Sequence, residues 1–525
     1  MILITSAAYV EREFQIEFGA LPPTFLPIEN LRLFELQIRA LNEDFPQEKI
    51  ILSLPASYSV SLNDRKALSQ NGVDIVFNED GLSLGTSIEF ALKHALKDNC
   101  CLKILHGDTL ISGINTAHDS IGIGNIKDGH SWELDNKNIS KSDVWCGYFS
   151  FADAYKFLKV MSESKGDFVS AVRNYDALNT MKRFKPNSWL DFGHISTYFQ
   201  SRSMLTTQRS FNSLTIKNGS IIKSGTPPEK IRAEYTWFKN LNDDLLVFAP
   251  QLTSKSFGLM GSQSYQIEYL PLPPLNEIFV HGRHGKLYWK HIFFLVDEFL
   301  NVCSNQLIPS ELEPDIKNNA KLLISDKTFS RLETFSVTNK TFDIRKLNIF
   351  NGNLLPSILE IVNNCLDEIP DSGSILGVSH GDLCLSNLLF DSRIQRIKVI
   401  DPRGLDYFGA ESSFGDLRYD IAKLNHSILG LYDHIIAGSY DLEYSLSKEK
   451  NKFEFEIFLG DEIYEIQNAF KEKLFLEKVR SSDVMPITIL LFLSMLPLHL
   501  DKPDRQMAFL ANALRLYSEM FMEDL

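Results

Sequence analysis

SHGDLCLSNLLFD, residues 379–391, is the stretch on which the reading of this chain turns. It places His380, Asp382 and Asn387 within eight positions, and a further acid, Asp401, follows in IKVIDPRG. The apolar run SILGV leads into Asp382, the strand-like LLF follows Asn387, and RIKVI returns the chain to Asp401 after the turn residues DSR. A hairpin brings its two ends together, so Asn387 and Asp401 are expected side by side and next to Asp382. The tripeptide HGD occurs once more, as His106, Gly107 and Asp108 in KILHGDTLIS, which raises the question of a second site.

A carboxylate that accepts a hydroxyl proton, with an amide oxygen and a second carboxylate as hard oxygen ligands for Mg²⁺, is the set that phosphoryl transfer from ATP requires. A lysine that grips the phosphates completes it. Lys223 ends the strand-like SIIK, and Glu234 lies eleven residues on in the helical EKIRAEYTWF, opened by Pro227 and Pro228. A strand lysine paired with a helix glutamate holds α- and β-phosphates in protein kinases. QIEYLPLPPLNEIF, an apolar strand ending in an extended proline-rich link, is the expected adenine-binding hinge, with Glu268 and Leu270 at the nucleotide.

SHGDLCLSNLLFD together with VIDPRG resembles the aminoglycoside phosphotransferase and choline kinase family, whose fold is protein-kinase-like. The resemblance implies that Asp382 is the catalytic base, that Asn387 and Asp401 bind Mg²⁺, and that His380 braces the loop. It also implies that a buried acid in FGDLRYDIAKL, Asp416 or Asp420, supports the catalytic loop. The chain departs from the kinase pattern in lacking a glycine-rich phosphate loop. The polar SRSMLTTQRSFN, residues 201–212, stands in its place.

The first 200 residues alternate strand-like and helix-like runs: MILIT, a helix expected over 28–41, KIILSLP, VDIVFN, SIEFALKHAL, CLKILHGD and WCGYFSF. This order predicts an α/β domain with a mostly parallel sheet. Asp108 then sits at the C-terminal end of a strand, where ligands bind in such folds. Asp191 in SWLDFGHISTYF is the second acid expected there. His106 is expected to be structural, and His194 to make a local bond. ALPPTFLPIENLRLFELQI, HGDT, GYFSF and LDFGHISTY resemble segments of the sugar-phosphate nucleotidyltransferases, whose sheet is of the glycosyltransferase-A type. The resemblance implies that Asp108 and Asp191 bind Mg²⁺ and through it a second nucleotide, CTP or another NTP. That family's GxGxR loop is replaced here by SAAYVEREFQIEFG, and its lysine by Pro22-Pro23-Thr24.

The expected architecture is therefore an α/β nucleotidyltransferase-like domain over 1–204 and an α+β kinase-like domain over 205–525, with a small lobe to about 275 and a helical lobe over 276–525. Asn218-Gly219 between LTIK and SIIK predicts a tight hairpin in the small lobe. From 285 onward the chain reads as mostly helical, and ITILLFLSMLPLHL, 487–500, as a core helix too short for a bilayer. Arg403 and Asp406 are expected either at substrate or in a loop salt bridge, and VHGRHGK as a solvated turn.

Net charge is −14, against the basic stripe of a nucleic-acid-binding surface. The six cysteines show no paired spacing, which fits a reducing cytoplasm rather than a disulfide framework. The expected partners are nucleotides and a small-molecule substrate, with no nucleic acid and no membrane. Joining the two resemblances implies phosphorylation of a small hydroxylated compound and its coupling to a nucleotide, as for surface-polysaccharide precursors. A single-activity kinase with a degenerate first domain and a nucleotide-binding scaffold are the other readings.

Overall fold

A computed structural model describes all residues except 115–117, 126–131, 136–142, 206–211, 218, 258–262, 448 and 523–525. Asn218 and half of the polar stretch 201–212, residues 206–211, thus lie outside the described residues. The chain divides into two compact units, Met1–Thr206 with His281–Arg283, and Thr207–Val280 with His284–Leu525.

The first unit is an α/β fold around a seven-stranded sheet. Its strands run in the spatial order Lys182–Phe184, Ser120–Asn125, Asp143–Phe151, Leu102–His106, Ile2–Thr5, Ile50–Pro55, Val73–Asn78. All pair in parallel except Asp143–Phe151, which is antiparallel to both neighbours. Central strands are continuous apolar runs because helices cover them, and ILIT and IILSLP are buried throughout. Helices Ala154–Glu163 and Phe168–Asn179 add Phe157 and Tyr175 to the core, and Phe157 stacks on Phe151 at 3.7 Å between ring centres. The helix expected over 28–41 begins later. Pro27–Ile28 and Leu31–Arg32 form a small antiparallel pair, Glu29 turns at a φ of 58°, and the helix runs Leu33–Asp44.

The second unit opens with four antiparallel strands in the order Asn212–Lys217, Ser220–Gly225, Gln263–Glu268, Leu252–Phe257. Lys217 pairs with Ser220, and Gly219 takes a φ of 71°, a conformation open to glycine without steric cost. Helix Pro228–Lys239 packs on Ser220–Gly225 and Gln263–Glu268.

The remainder is largely helical. Lys286–Ser304 buries Trp289, Ile292, Phe293, Val296, Phe299, Leu300 and Cys303, the i, i+3, i+4, i+7 stripe of a helix with one apolar face. Met485–Met495 is apolar all round and is buried accordingly, packing on helices Asp326–Thr338, Leu417–Ile428 and Pro503–Phe521. Its surroundings span Ser482–His499, a stretch long and apolar enough to cross a membrane, of which 61% is buried inside the fold. The body is mostly helical, as expected, and it also holds a sheet beyond the expected hairpin. Strands Asn353–Leu355, Leu347–Phe350, Lys450–Ile457 and Tyr440–Leu446 form a second four-stranded sheet.

Candidate functional site

The hairpin that follows the second HGD is present as Leu388–Asp391 paired with Arg396–Val399. Its register sets Leu388 opposite Val399, and Ile400 N–H donates to the Asn387 carbonyl at 3.0 Å, so Asn387 and Asp401 flank its open end. The loop 379–387 is held from behind by Asp420 on helix Leu417–Ile428. Its carboxylate accepts from Ser379 Oγ (2.9 Å), His380 N–H (2.9 Å) and Gly381 N–H (2.7 Å). Burial pushes Asp420 up to about 7 even with those three donors. Gly381 has a φ of 73°, and a Cβ there would meet Arg403 Cβ at 2.8 Å, so the middle residue of this HGD has no room for a side chain.

His380 is fully buried, and burial depresses it to about 4, so it is neutral. Its Nδ1 accepts from Asp382 N–H at 3.3 Å and its Nε2 donates to the Ile400 carbonyl at 2.9 Å, which fixes the tautomer. His380 thus ties the loop to the end of the hairpin and does not face the reacting groups.

Asp382 carries an ion pair to Lys423 Nζ at 2.8 Å, and the Asn387 amide nitrogen donates to its carboxylate at 3.2 Å and to its backbone carbonyl at 2.8 Å. Burial alone would raise Asp382, but the Lys423 ammonium prevails and holds the carboxyl well below the usual carboxylate range. With the amide nitrogen of Asn387 directed at Asp382, its oxygen is left as an acceptor. That oxygen and the Asp401 carboxylate are a hard-oxygen donor pair suited to Mg²⁺.

Lys223 bridges the sheet to this loop. Its ammonium lies 2.6 Å from Glu234 Oε2 and 2.9 Å from Asp401 Oδ1, with 3% of the residue exposed. Burial works against its charge, but Asp401 and Glu234 outweigh it and raise the lysine above its ordinary value. Tyr265 on the adjacent strand donates its hydroxyl to Glu234 at 2.9 Å. Glu268 closes strand Gln263–Glu268 and accepts from Gln251 N–H at 3.3 Å. Leu270 lies in the link beyond, whose Pro274 pairs with Leu389 of the hairpin. Lys423 and Tyr265 carry no motif of their own. The clue to Lys423 is its place one turn beyond Asp420 on the helix that supports the loop.

Arg403 makes no carboxylate pair with Asp406 among the described residues; it donates to the Asp406 backbone carbonyl at 3.4 Å. The expected loop salt bridge is therefore not formed. The basic cluster at 281–284 is also not a solvated turn, since His281 is buried.

In the first unit, strand Ser188–Asp191 pairs antiparallel with Thr109–Ser112, Asp191 opposite Thr109. This brings the two acids together. A Cβ placed on Gly193 would lie 2.8 Å from Asp108 Oδ2 and 3.4 Å from Asp191 Oδ1. Thr197 donates its hydroxyl to Asp191, and His194 Nδ1 lies 3.6 Å from the same carboxylate, a local contact. Burial raises both carboxyls above the ordinary value, and Asp108 raises Asp191 further by like-charge repulsion. His106 beside them is half-buried, and desolvation depresses it to about 4. Thr24, at the place of the nucleotidyltransferase lysine, is fully buried and donates to Ser6 Oγ at 3.0 Å, while Arg12 is exposed. Among the described residues no group of three or more His, Cys, Asp or Glu is placed to hold a metal unaided.

No protein-family model matches the chain, and no curated protein matches it. Solved structures similar to it fall into two groups, one over each part. A nucleoside-diphosphate-sugar pyrophosphorylase from Vibrio cholerae is 13% identical, over 38% of this chain and 99% of its own, with a TM-score of 0.31. An ethanolamine kinase from Plasmodium vivax is 13% identical over 63% of this chain and 88% of its own, TM-score 0.33. An aminoglycoside-3'-phosphotransferase of type VIII is 13% identical over 55% and 96%, TM-score 0.33.

Proposed function

We propose that the second unit is an ATP-dependent kinase for a small hydroxylated compound. The observation that carries this reading is Lys223, whose ammonium joins Glu234 of the helix to Asp401 at the mouth of the Asp382 loop. A buried lysine with two carboxylates is costly unless its position serves something, because desolvated charges need close partners. Here it puts a cation where ATP phosphates would lie. Asp382, kept ionised by Lys423, orients the acceptor hydroxyl. The hydroxyl oxygen forms the new bond to the γ-phosphorus, the bond from that phosphorus to ADP breaks, and the proton passes to Asp382. Mg²⁺ held by Asn387 and Asp401 would screen the charge of the β- and γ-phosphates. Replacing Asp382 by Asn should lower ADP release by about 10²- to 10⁴-fold while sparing ATP binding; turnover at the wild-type rate in that variant would show that Asp382 is not the base.

The paired acids of the first unit support a second, metal-dependent nucleotide site, with Asp108 and Asp191 as the Mg²⁺ ligands and CTP or another NTP as the nucleotide. The two activities together would supply a phosphorylated or nucleotide-activated precursor for surface polysaccharide. The six free cysteines suit the reducing cytoplasm as its place of action. Thr24 favours one competing reading, a first unit that has lost catalysis, since no cation occupies the lysine's place. Thermal stability in Mg²⁺ with ATP or with CTP, UTP or GTP separates these readings. Stabilisation by a nucleotide other than ATP that is lost in Asp108→Asn supports two sites.

A further inference from the structure

A cavity of about 660 Å³ lies within the second unit, a size that takes a small organic molecule. Its wall includes Ser379, His380 and Gly381 of the catalytic loop, and helix Glu313–Ile324 contributes Asn319. Asp382 follows Gly381 directly in the chain. Tyr419, also in the wall, is one helical turn from Lys423, whose ammonium holds Asp382 at 2.8 Å. The cavity therefore adjoins the carboxylate that orients the acceptor hydroxyl.

Charge in this wall nearly cancels. It carries four acids and one cation, Arg403. Two of the acids are neutralised by arginines outside the wall, Asp416 by Arg418 at 2.7 Å and Glu411 by Arg232. Asp315 is exposed to water, which leaves Asp406 and Arg403 to offset one another. The hydrogen-bonding groups say more than the charges. Arg403 Nη1 is a buried donor with no acceptor among the described residues. Asn319 Oδ1 is a buried acceptor with no donor among them, and its amide is oriented by donation from Nδ2 to the Asp315 carbonyl at 3.0 Å. Buried polar atoms left unbonded cost free energy, so a pair of them in one cavity wall points to a partner from outside. An ammonium group offers only donors and would leave Arg403 unanswered. A carboxylate or phosphate dianion offers only acceptors and would leave Asn319 unanswered. A hydroxyl both donates and accepts, and answers either. Phe408, 70% exposed, adds an apolar face on which the C–H side of a polyol can lie.

We propose that the phosphoryl acceptor of this kinase is an uncharged polyhydroxylated compound, a sugar or an alditol without amino, carboxylate or phosphate groups. Arg403 and Asn319 bind its hydroxyls while a further hydroxyl reaches Asp382. That hydroxyl oxygen bonds to the γ-phosphorus, the bond to ADP breaks, and the proton passes to Asp382. The proposal rests on the kinase reading and gives it a substrate class.

The test measures ADP release from Mg²⁺-ATP by the full chain. The uncharged probes are glucose, ribose, sorbitol and ribitol, and the charged counterparts are glucosamine, glucuronate and choline. Release should respond to an uncharged probe with kcat/KM about tenfold or more above any charged one, and the ring and open-chain members tell a sugar from an alditol. Asn319→Leu and Arg403→Gln should each raise KM for that probe about tenfold, the loss of one hydrogen bond, with KM for ATP unaltered. The thermal midpoint of Asn319→Leu without ligand should not fall, because an apolar side chain removes an unbonded buried acceptor. A merely structural Asn319 would lower that midpoint and leave KM alone. Preference for a charged probe, response to none of these compounds, or an unchanged KM in either variant overturns the proposal; the last would leave ordered water as the partner of the two atoms. Failure of the kinase reading looks different: Mg²⁺-ATP would then give no stabilisation dependent on Asp401.

Discussion

The two HGD tripeptides end in aspartates of opposite character. Asp382 has a lysine at 2.8 Å and lies well below the usual carboxylate range, whereas Asp108 has no such cation and is raised by its partial burial. In the second unit Asp382, Asp401 and Glu234 each have a cation of this chain beside them, Lys423 for Asp382 and Lys223 for Asp401 and Glu234. In the first unit Asp108 and Asp191 converge with no Lys or Arg paired to either among the described residues. One site is charge-compensated before any ligand arrives. The other holds excess negative charge that a cation from solution would relieve. The same three letters of sequence therefore say little about chemistry until the neighbours are known.

The largest effect that bears on this contrast is in turnover. Asp382→Asn should lower phosphoryl transfer by about 10²- to 10⁴-fold, the range for removing a general base, with ATP affinity preserved. Retained turnover, read as ADP release, would remove the distinction between the two aspartates. Next is Asp420→Ala, which strips three donors of their acceptor and should destabilise the second unit by about 3 kcal/mol in denaturant unfolding. A change below half of that would mean the loop is held by other contacts. Lys223→Ala should abolish the stabilisation by Mg²⁺-ATP, about 2.7 kcal/mol at a hundredfold excess over Kd in wild type. In the first unit Asp108→Asn should act in the other direction without metal. Removing one of two close like charges should raise stability by about 1 kcal/mol. A loss of stability instead would show that the pair is compensated after all.

The smallest effect comes from a group outside both sites. His499 is half-buried near Arg505 and Phe509, and burial depresses it to about 4 from an ordinary 6.5. Between those pH values the unfolded chain takes up a proton that the folded chain refuses. The stability it contributes is complete above pH 6.5 and is lost as pH falls toward 4. His499→Gln should flatten that slope by about 1 kcal/mol, discounted for its solvent exposure. An unchanged slope would place the acid sensitivity in other residues.

Much of the second site was legible because its parts are local. Asp382, Asn387 and Asp401 lie within 20 residues, and one hairpin register brings them together. The strand lysine and helix glutamate were legible for the same reason, being joined by a single turn. Lys423 was not, since it reaches Asp382 from 41 positions away through the packing of a helix that shows only an amphipathic pattern. The second sheet was missed on the same ground. Leu347–Phe350 and Lys450–Ile457 pair in parallel across about a hundred residues, and no short-range turn announces such a pairing. The helix expected over 28–41 was placed too early because IENLRLF has helical apolar spacing, while Pro27 and the positive φ of Glu29 favour a short antiparallel turn first.

The imidazole of His380 has a consequence for motion. One ring holds Asp382 N–H on one side and the Ile400 carbonyl on the other, while its own backbone carbonyl accepts from Arg403 N–H at 2.8 Å. Asp382 and the backbone on either side of Asp401 are thus fastened to a single residue. They should open together or not at all. In native-state hydrogen exchange the amides of Asp382, Ile400 and Arg403 are expected to share one opening free energy. Asp382 and Asp401 would then behave mechanically as one rigid body, with fluctuation left to whatever lies between them and solvent.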